Sequence, residues 1–508
     1  MKIIKFIFFL FLLFQHFIGI SQKIELGSIM TYENQFDKFI GTDASGFYTL
    51  CYGKKGVGMQ IFINKYDSKS FGLLFSQKIE SEEIQKSLKF KPGAYFSMVA
   101  QTFLVDNCVY VFFEVYDKEE KEQKLFLQKV RSDGVKSEIY LAQSYPTNRD
   151  KDLIEINVTH FAINLNTNKT LFTITCPGGD NATKLGVYKA INLEKKIEKK
   201  IQIDLDNYST LIDNDGNIYF GKTYSEPRTN MTSIELKVLE KNSMTLKNID
   251  VPLEKGKCIV NCVIDVVDST GVYVYGVMAD TGWAGNSNRQ VQNYGDIKNP
   301  EWFLFKIENT SYTIEQNHTY SFPQNIKDQF KKPVYSDVPY FGCLSLHKIK
   351  ENFYLVCEYV YMTLYLSDNH KPFVVLKLDG NFAPVWTKSI PKLIKGGFEA
   401  DRAKMQIFVH ANKLNFLYVE NVDNNRFSFD TPSESFLPVG KYIEPSTVVR
   451  VTLAADGGLK KETLFNNPGK GLNYFPSGKF FLSPSKLLIQ LDNKKKNVEQ
   501  YGTIDLSN

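Results

Sequence analysis

Aromatic and amide side chains concentrate in the segment 279–301, which reads ADTGWAGNSNRQVQNYGDIKNPE. Trp283 and Tyr294 would offer flat apolar faces in this segment. The other candidate ligand-binding residues are polar or aromatic, and they are Asn286, Asn288, Arg289 and Asp296 in the same segment and Arg426 and Tyr442 in the segment 421–447. Aromatic faces beside hydrogen-bonding groups suit a glycan or peptide ligand. The alternative is that Trp283 packs beneath its own loop.

Motifs of known catalytic or metal-binding chemistry do not occur in the sequence. It contains no nucleophile elbow, His-Glu-x-x-His pair, phosphate loop or Rossmann glycine pattern. The six histidines are scattered singly, so no spacing indicates a metal site. The stretch DNDGN at 213–217 resembles part of a calcium loop but lacks the Glu that closes such a site, which favours a hairpin turn. We therefore predict no catalytic residue, no metal ligand and no cofactor.

Seven cysteines are too few for a disulfide-built scaffold, and their odd number leaves at least one thiol outside any internal pair. Cys343 and Cys357 flank a predicted hairpin and lie equally far from its turn at position 350, so a strained disulfide could join them. Two other cysteines, Cys51 and Cys176, follow an aromatic residue by four positions, as Cys357 does, which favours free, buried thiols. Cys258 and Cys262 lie four apart in a predicted strand, too far to bridge, and we expect them to face the same side.

One sequence pattern recurs eight times along the chain, and it indicates the strands that must position the candidate ligand-binding residues and the cysteines. An apolar strand, often with a Lys, is followed by an Asp, Glu or Asn turn and a second strand, as in IFINKYD at 61–67 and FVVLKLDGN at 373–381. A polar turn and a Tyr-led strand precede each such hairpin, as in TDASGFYTLC at 42–51. Each unit therefore contains four antiparallel strands.

Repetition of a four-stranded unit with almost no helical periodicity predicts an all-β fold, a β-propeller of about eight blades. Seven blades would result if the first and last units shared one, and two stacked β-sandwich domains are the other alternative. Apolar strand positions are expected to be buried, among them Ile61, Leu127, Phe305, Val375 and Leu488. No Pro-, Gly- or Ser-rich linker divides the chain, so we predict a single domain over 22–508.

The long connections are predicted to share one face of the propeller. In a meander of strands a to d, the a–b and c–d turns lie at one end of a blade, and the b–c and d–a loops lie at the other. The short turns in this sequence fall between a and b and between c and d. The long segments fall at the opposite end, and they are 80–94, 279–301, 323–340, 391–403 and 421–447. Loops of this length in compact domains often carry function.

The segment FVVLKLDGNFAPVWTKSI at 373–390 resembles the repeat of quinoprotein-like and related secreted bacterial β-propellers, in which a Leu-Asp turn precedes a Trp-led strand. Trp386 is the Trp of this copy, and the other copies keep the hairpin without it. The chain is also similar in style to large propeller-like proteins exported by Bacteroidota. The resemblance implies the architecture across most of the chain and implies no catalytic residue.

The first twenty-one residues are predicted to be a signal peptide. Lys2 and Lys5 precede the apolar run FIFFLFLLF at 6–14, and the small residues Gly19 and Ser21 suit cleavage before Gln22. The alternative, an N-terminal anchor, is interrupted by polar residues. No later segment is long and apolar enough to span a membrane, so the expected location is secreted, periplasmic or cell-surface.

Composition narrows the class of protein further. Hydrophobic residues make up 43% and charged residues 23% of the 508 residues, as in soluble globular proteins, and the 14% of aromatics favours strands. Lys and Arg number 61 against 56 Asp and Glu, without a basic block, so nucleic acid is not an expected partner. The sequence favours a non-catalytic binding or scaffolding propeller that takes a protein or glycan on its long-loop face. A secreted hydrolase or lyase with a site in the central funnel, and a structural cell-envelope component, remain alternatives.

Overall fold

The computed structural model describes residues 24–31, 34–53, 60–79, 98–117, 120–146, 161–179, 182–203, 208–222, 233–268, 271–280, 297–330, 338–362, 368–395, 405–431, 437, 446–467, 471–474, 480–493 and 496–507. Eight four-stranded antiparallel sheets are arranged in a ring, which confirms the predicted propeller of eight blades. Within the described residues, helix is confined to α1 (Gln324–Lys327) and the 3-10 helices η1 (Asp328–Phe330) and η2 (Val422–Arg426). No helix among these residues has the length and apolar character needed to cross a membrane.

The strands of each blade follow one another in the chain, and we designate them a to d from the axis outward. The chain starts with the short strands β1 (Ile24–Leu26) and β2 (Met30–Thr31). Blade 1 consists of β3 (Asn34–Thr42), β4 (Gly46–Gly53), β5 (Ile61–Asp67) and β6 (Leu73–Lys78), and blade 2 consists of β7 (Met98–Val105), β8 (Cys108–Asp117), β9 (Glu122–Arg131) and β10 (Tyr140–Pro146). Blade 3 consists of β11 (Ala162–Leu165), β12 (Leu171–Gly179), β13 (Ala182–Lys189) and β14 (Lys195–Ile201), and blade 4 consists of β15 (Tyr208–Ile212), β16 (Ile218–Lys222), β17 (Ser233–Leu239) and β18 (Leu246–Pro252).

The second half of the chain repeats this arrangement. Blade 5 consists of β19 (Lys257–Asp268), β20 (Gly271–Asp280), β21 (Glu301–Glu308) and β22 (Ile314–Ser321). Blade 6 consists of β23 (Val338–Ile349), β24 (Asn352–Met362), β25 (Asp368–Leu378) and β26 (Pro384–Ile390), with the additional β27 (Ile394–Lys395). Blade 7 consists of β28 (Gln406–His410), β29 (Lys413–Asn421), β30 (Ser446–Leu453) and β31 (Leu459–Asn467). Strands a of successive blades contact one another, as β3 contacts β7 and β19 contacts β23, so they surround the axis.

Blade 8 joins the two ends of the described chain. Its first three positions are occupied by β32 (Asn473–Tyr474) with β33 (Phe481–Ser483), by β34 (Lys486–Asn493) and by β35 (Val498–Asp505). Its outer strand comes from the start of the chain, because β1 and β2 pair with β35. The first and last units therefore form separate blades, and only the segment 24–31 that precedes the first unit joins blade 8. This closure pairs the outer edge of β35, which would otherwise be left open.

The hydrophobic core is divided into eight clusters, one between each pair of neighbouring blades. Alternation along the strands produces this pattern, because successive side chains point toward opposite neighbours. All five strand positions predicted to be buried lie in it, from Ile61 to Leu488. Blades 8 and 1 meet through an aromatic cluster in which the Phe47 and Tyr501 rings lie 5.2 Å apart.

The cysteines show where the sequence predicts the direction of a side chain correctly and where it does not. Cys51 and Cys176 are free and buried, as predicted. Cys258 and Cys262 do not face the same side, because a β-bulge after Ile259 shifts the register of β19. Cys258 packs between blades 5 and 6, and Cys262 packs between blades 4 and 5.

The predicted Cys343–Cys357 pair lies at another bulge. Gly342 pairs with Glu358 and Ser345 pairs with Val356, so positions 343 and 344 both lie across from Cys357. Cys357 is buried, whereas the side chain of Cys343 lies outside the described residues. The disulfide therefore stays a prediction, which intact-mass measurement after alkylation, with and without reductant, will test.

The a–b and c–d turns lie at one end of the blades, the short-turn end, where polar contacts recur from blade to blade. In blade 1 the Asp43 carboxylate accepts hydrogen bonds from Tyr48 Oη at 2.5 Å and Lys65 Nζ at 2.9 Å. Burial alone would raise the pKa of Asp43, but these bonds lower it to about 2. Lys65 also donates to the Ser132 carbonyl of blade 2, and Tyr110 of blade 2 donates to a carbonyl of blade 3. Side chains thus join neighbouring blades at this end.

The stretch DNDGN at 213–217 is one of these turns. Asp213 Oδ1 accepts from the backbone N–H groups of Asp215, Gly216 and Asn217 at 2.7–2.9 Å. Gly216 has φ +94, a conformation that favours glycine. The carboxylate oxygen satisfies the backbone of its own turn, which supports the predicted hairpin turn over a calcium loop.

Candidate functional site

The b–c and d–a connections lie at the opposite end of the blades, the long-loop end. The longest turn at the short-turn end is 132–139, whereas residues 281–300 and 422–445 connect strands at the long-loop end. The strand order places both ends of all five predicted long segments here, as expected. Two further long connections that we did not predict, 147–161 and 223–232, belong to the same end.

Most of the predicted ligand-binding residues lie in parts of the chain that are not described. This applies to Trp283, Asn286, Asn288, Arg289, Tyr294, Asp296 and Tyr442. Arg426 is described: it ends η2, is exposed, and has its guanidinium carbon 5.0 Å from the centre of the Phe427 ring. The structure therefore characterises the bases of the loops and Arg426.

The base of the 281–300 connection is clamped by a lysine. Asp280 ends β20 and Glu301 begins β21, so the two acids flank the loop. Lys257 Nζ lies 3.1 Å from Asp280 Oδ1 and 2.9 Å from Glu301 Oε2. Asn299 donates to Asp280 Oδ2 at 2.6 Å, and Ser321 donates to Glu301 at 2.8 Å. One cation thus holds both ends of the loop that carries most of the predicted ligand-binding residues.

The electrostatics of this clamp keep all three groups charged. Burial by itself would lower the pKa of Lys257, but the two carboxylates hold it above its ordinary value. Burial would raise the pKa values of Asp280 and Glu301, and hydrogen bonds, including those from Lys257, lower both instead. Removing the cation would leave two adjacent carboxylates at the loop base, which would repel each other.

The base of the 422–445 connection contains a buried amide. Asn424 Oδ1 accepts from the Leu437 N–H at 2.7 Å, and Asn424 Nδ2 donates to the Leu437 carbonyl at 2.8 Å. Glu420, near the end of β29, is buried and pairs with Lys461 at 2.5 Å. Burial raises the pKa of Glu420, and Lys461 opposes this effect. The amide fixes position 437 against η2 with two hydrogen bonds.

A third ion pair lies where the 391–403 connection leaves β26. Lys392 forms an ion pair with Glu358 on β24, and both side chains are almost completely buried, with exposed fractions of 1% and 2%. The Lys392 ammonium also lies 4.0 Å from the centre of the Phe373 ring. Such a pair is costly to desolvate and is retained where geometry matters.

No metal-binding group of three or more His, Cys, Asp or Glu side chains occurs in the described part of the chain. Near the axis, Ser345 Oγ lies 3.0 Å from His347 Nε2 on β23, and Tyr275 Oη lies 3.5 Å from Asp265 Oδ2 in blade 5. Leu346, between Ser345 and His347, packs on the same cluster as Tyr275. Because Leu346 faces blade 5, alternation turns Ser345 and His347 to the other side of β23, away from the Tyr275–Asp265 pair.

The residues that anchor the loops were not identified from the sequence, although the acidic member of each ion pair can be seen in it. Acidic residues end or nearly end the apolar b strands in VYVFFEVYD at 109–117, VYVYGVMAD at 272–280 and LNFLYVE at 414–420, and Glu358 lies within the b strand Asn352–Met362. Their lysine partners stand at no fixed spacing, because they come from different strands and connections. Only the fold brings the two charges together.

No protein-family model matches the chain, and no curated protein matches it. Among solved structures it is similar to an ulvan lyase of type PL25, with 10% identity over 81% of this chain and 93% of that chain and a TM-score of 0.40. It is similar to the β-propeller domain of the Trilobed protease from Pyrococcus furiosus, with 8% identity, coverages of 86% and 97% and a TM-score of 0.37. It is also similar to prolyl oligopeptidase B from Galerina marginata, with 9% identity over 91% of this chain and 55% of that one and a TM-score of 0.38. At these identities the similarity concerns the fold and carries no activity over to this chain.

Proposed function

We propose that this protein is an exported, non-catalytic binding or scaffolding propeller whose long-loop end takes a protein or glycan ligand. The observation that carries the proposal is the clamp of Lys257 on Asp280 and Glu301 at the base of the 281–300 connection. Residues 1–21 act as its signal peptide, and the mature chain works outside the cytoplasm in this proposal.

The clamp is partly buried, and ion pairs of this kind contribute little to stability, because loss of hydration offsets most of the attraction between the charges. Their geometric effect is stronger: a pair with one satisfied arrangement fixes the groups that carry it. The clamp therefore fixes the separation and direction of the two chain segments that enter the loop. A loop held in this way loses less conformational entropy when it binds, which raises affinity.

The chemistry of the clamped loop suits a glycan or peptide. Trp283 and Tyr294 supply flat apolar faces, and the Asn and Arg side chains between them supply donors and acceptors for hydroxyl or peptide groups. Arg426, exposed on η2, adds a planar donor from the b–c loop of blade 7 at the same end of the propeller. The proposal requires no proton transfer and no metal.

The test uses the exported chain with panels of neutral, acidic and sulfated polysaccharides and of immobilised peptides. We expect the chain to migrate more slowly in gels that contain a polysaccharide, or to be retained on immobilised peptides, for at least one class. The double variant Trp283→Ala with Tyr294→Ala should lose that binding. Lys257→Met should weaken binding by about tenfold through the loop base. Lys306→Met is the matched control, because the side chain of Lys306 is as little exposed as that of Lys257, at 14% against 12%, and it pairs with Glu315 on the outer strand of the same blade.

Two outcomes would contradict the proposal. Absence of binding to every member of both panels would remove it, as would binding that the Trp283 and Tyr294 substitutions leave unchanged. Release of shortened or unsaturated products from a polysaccharide would favour the hydrolase or lyase alternative instead. Export is tested separately, by N-terminal sequencing of the protein recovered outside the cytoplasm, which should begin at Gln22.

A further inference from the structure

Exposed apolar side chains cluster on one part of the propeller circumference. Among the described residues, Leu73 and Leu74 of blade 1 are 50% and 53% exposed, Leu141 of blade 2 is 55% exposed, and Ile191 of blade 3 is 67% exposed. We name this surface the apolar rim, and its members are Leu26, Leu73, Leu74, Val135, Tyr140, Leu141 and Ile191. All lie on outer strands or c–d turns of the consecutive blades 8, 1, 2 and 3.

Neighbouring blades contact one another beneath the apolar rim. Gly27, after β1 of blade 8, lies against Phe71 in the c–d turn of blade 1. Gly134 in the c–d turn of blade 2 lies against the ring of Phe75 on β6. The carbonyl of Ile191 in blade 3 accepts a hydrogen bond from Tyr110 of blade 2 at 3.3 Å. The outer strands of blades 8 and 1 therefore meet the c–d turn of the next blade, and the c–d turn of blade 3 meets strand b of blade 2.

The apolar rim lies at the short-turn end. Leu73 and Tyr140 are the first residues of their d strands, which start at that end, and Val135 and Ile191 belong to c–d turns. A flat surface that touched this edge would leave the long-loop end facing away from it.

A basic strand adjoins the apolar rim. β14, the outer strand of blade 3, starts directly after the turn that carries Ile191. The segment 184–200 contains six lysines and two glutamates, so its ion pairs leave an excess of positive charge. The exposed lysines of the strand are Lys195, Lys196 and Lys200. Exposed apolar side chains beside lysines are the combination by which proteins rest on anionic membranes.

The outer strand of blade 5 lacks this combination. The exposed side chains of β22 in blade 5 are Glu315, Asn317, Thr319 and Ser321, and the turn before it reads NTSYT. Polar and charged outer strands are the usual protection of a sheet edge against association. Blades 1 and 2 instead present adjacent apolar pairs at the start of their outer strands.

We propose that the apolar rim and β14 rest on an anionic lipid bilayer, with the leucines inserted among the acyl chains and the lysines at the headgroups. Charge complementarity selects this occupant, because the exposed lysines of β14 lie beside the apolar rim. The disc then contacts the membrane at its short-turn edge, and the long-loop end remains accessible.

The experiment is co-sedimentation of the exported chain with vesicles of phosphatidylcholine alone and of phosphatidylcholine mixed with phosphatidylglycerol. We expect binding to the mixed vesicles that weakens as salt is added. The double variant Leu73→Glu with Leu74→Glu should lose at least about tenfold in binding, since apolar insertion is replaced by repulsion. Both leucines are half exposed, so the substitutions do not disturb the core.

The matched control is Val385→Glu in blade 6, which is 51% exposed and lies on an outer strand far from the apolar rim. It should bind the vesicles as the unaltered chain does. Absence of binding to the mixed vesicles, or an equal loss in Val385→Glu, overturns the proposal. So does light scattering that shows a dimer which the Leu73 and Leu74 substitutions separate, because the apolar rim would then join two copies of the chain. Ligand binding at the long-loop end is measured independently and does not depend on this result.

Discussion

The junction between blades 8 and 1 contains a buried carboxyl group whose protonation should control stability. Glu499 on β35 is 3% exposed. Its oxygens accept hydrogen bonds from Tyr66 of blade 1 and Gln490 of β34, each at 3.4 Å. Burial raises the pKa of Glu499 to about 7, an effect that Tyr501, Gln490 and Tyr66 reduce and the nearby Asp492 reinforces. The folded protein therefore favours the protonated form.

The magnitude and sign of the effect follow from this pKa. The ordinary pKa is 4.5, so the difference is about 2.5 units, or about 3 kcal/mol of unfolding free energy at most. Below the ordinary pKa the group is protonated in both states and imposes no penalty. As pH rises toward 7 the unfolded chain releases its proton while the folded chain keeps it, so stability falls. Above 7 the loss is complete.

The perturbation is Glu499→Gln, which keeps the shape and most hydrogen bonds but cannot ionise. Denaturant unfolding at about pH 5 and about pH 8 should show that the variant loses less stability than the unaltered chain, by up to about 3 kcal/mol. Glu25→Gln is the control, because Glu25 is an exposed glutamate on the same blade, paired with Lys486. An unchanged pH dependence in Glu499→Gln would refute the reasoning.

Three further predictions follow from other buried groups. Asp43→Asn should cost about 2 kcal/mol near neutral pH, because the pKa of Asp43 is lowered from 3.8 to about 2 in the folded chain. This stability is present above the ordinary pKa and is lost as pH falls toward the folded pKa, so urea unfolding near neutral pH and in acid below the ordinary pKa measures it. Lys392→Met should destabilise the fold by about 3 kcal/mol by leaving Glu358 buried without this cation, and adding Glu358→Leu should recover most of the loss in the same assay. Cys51 and Cys176, whose thiol pKa values burial raises to about 12 and about 11, should resist alkylation until the chain is unfolded, as mass spectrometry after timed labelling will show.

The fold could be predicted from the sequence because each blade repeats the same local chemistry. The Tyr of the b strand and the Lys of the c strand lie opposite each other in the observed register, as Tyr48 pairs with Lys65 and Tyr354 pairs with Lys377. The aspartate turn before the Tyr completes the set in blade 1. These residues recur in the sequence at readable spacing, so blade number and strand order follow.

Other features depend on geometry that spacing does not encode. The bulge in β19 reverses the side on which Cys262 lies, and nothing in KCIVNCVIDVVD at 257–268 marks it. The outer strand of blade 8 is separated from its partner by almost the whole chain, so only ring closure identifies it. The loop anchors combine both difficulties: Glu358 is visible at its strand, but Lys392 is paired with it through a long-range contact.

The two ends of the blades are stabilised by different means, and this difference explains how one end can vary. At the short-turn end, Lys65, Tyr110 and Lys377 donate to backbone carbonyls of the next blade, at Ser132, Ala190 and Ala455. The accepting carbonyls belong to the first or second residue of the c–d turns, so each contact fixes how the backbone leaves its c strand. At the long-loop end, ion pairs hold the bases of the loops, as Lys257 holds Asp280 and Glu301. A loop anchored at its base can change in length and sequence without disturbing the ring, which is the property that a ligand-binding surface requires.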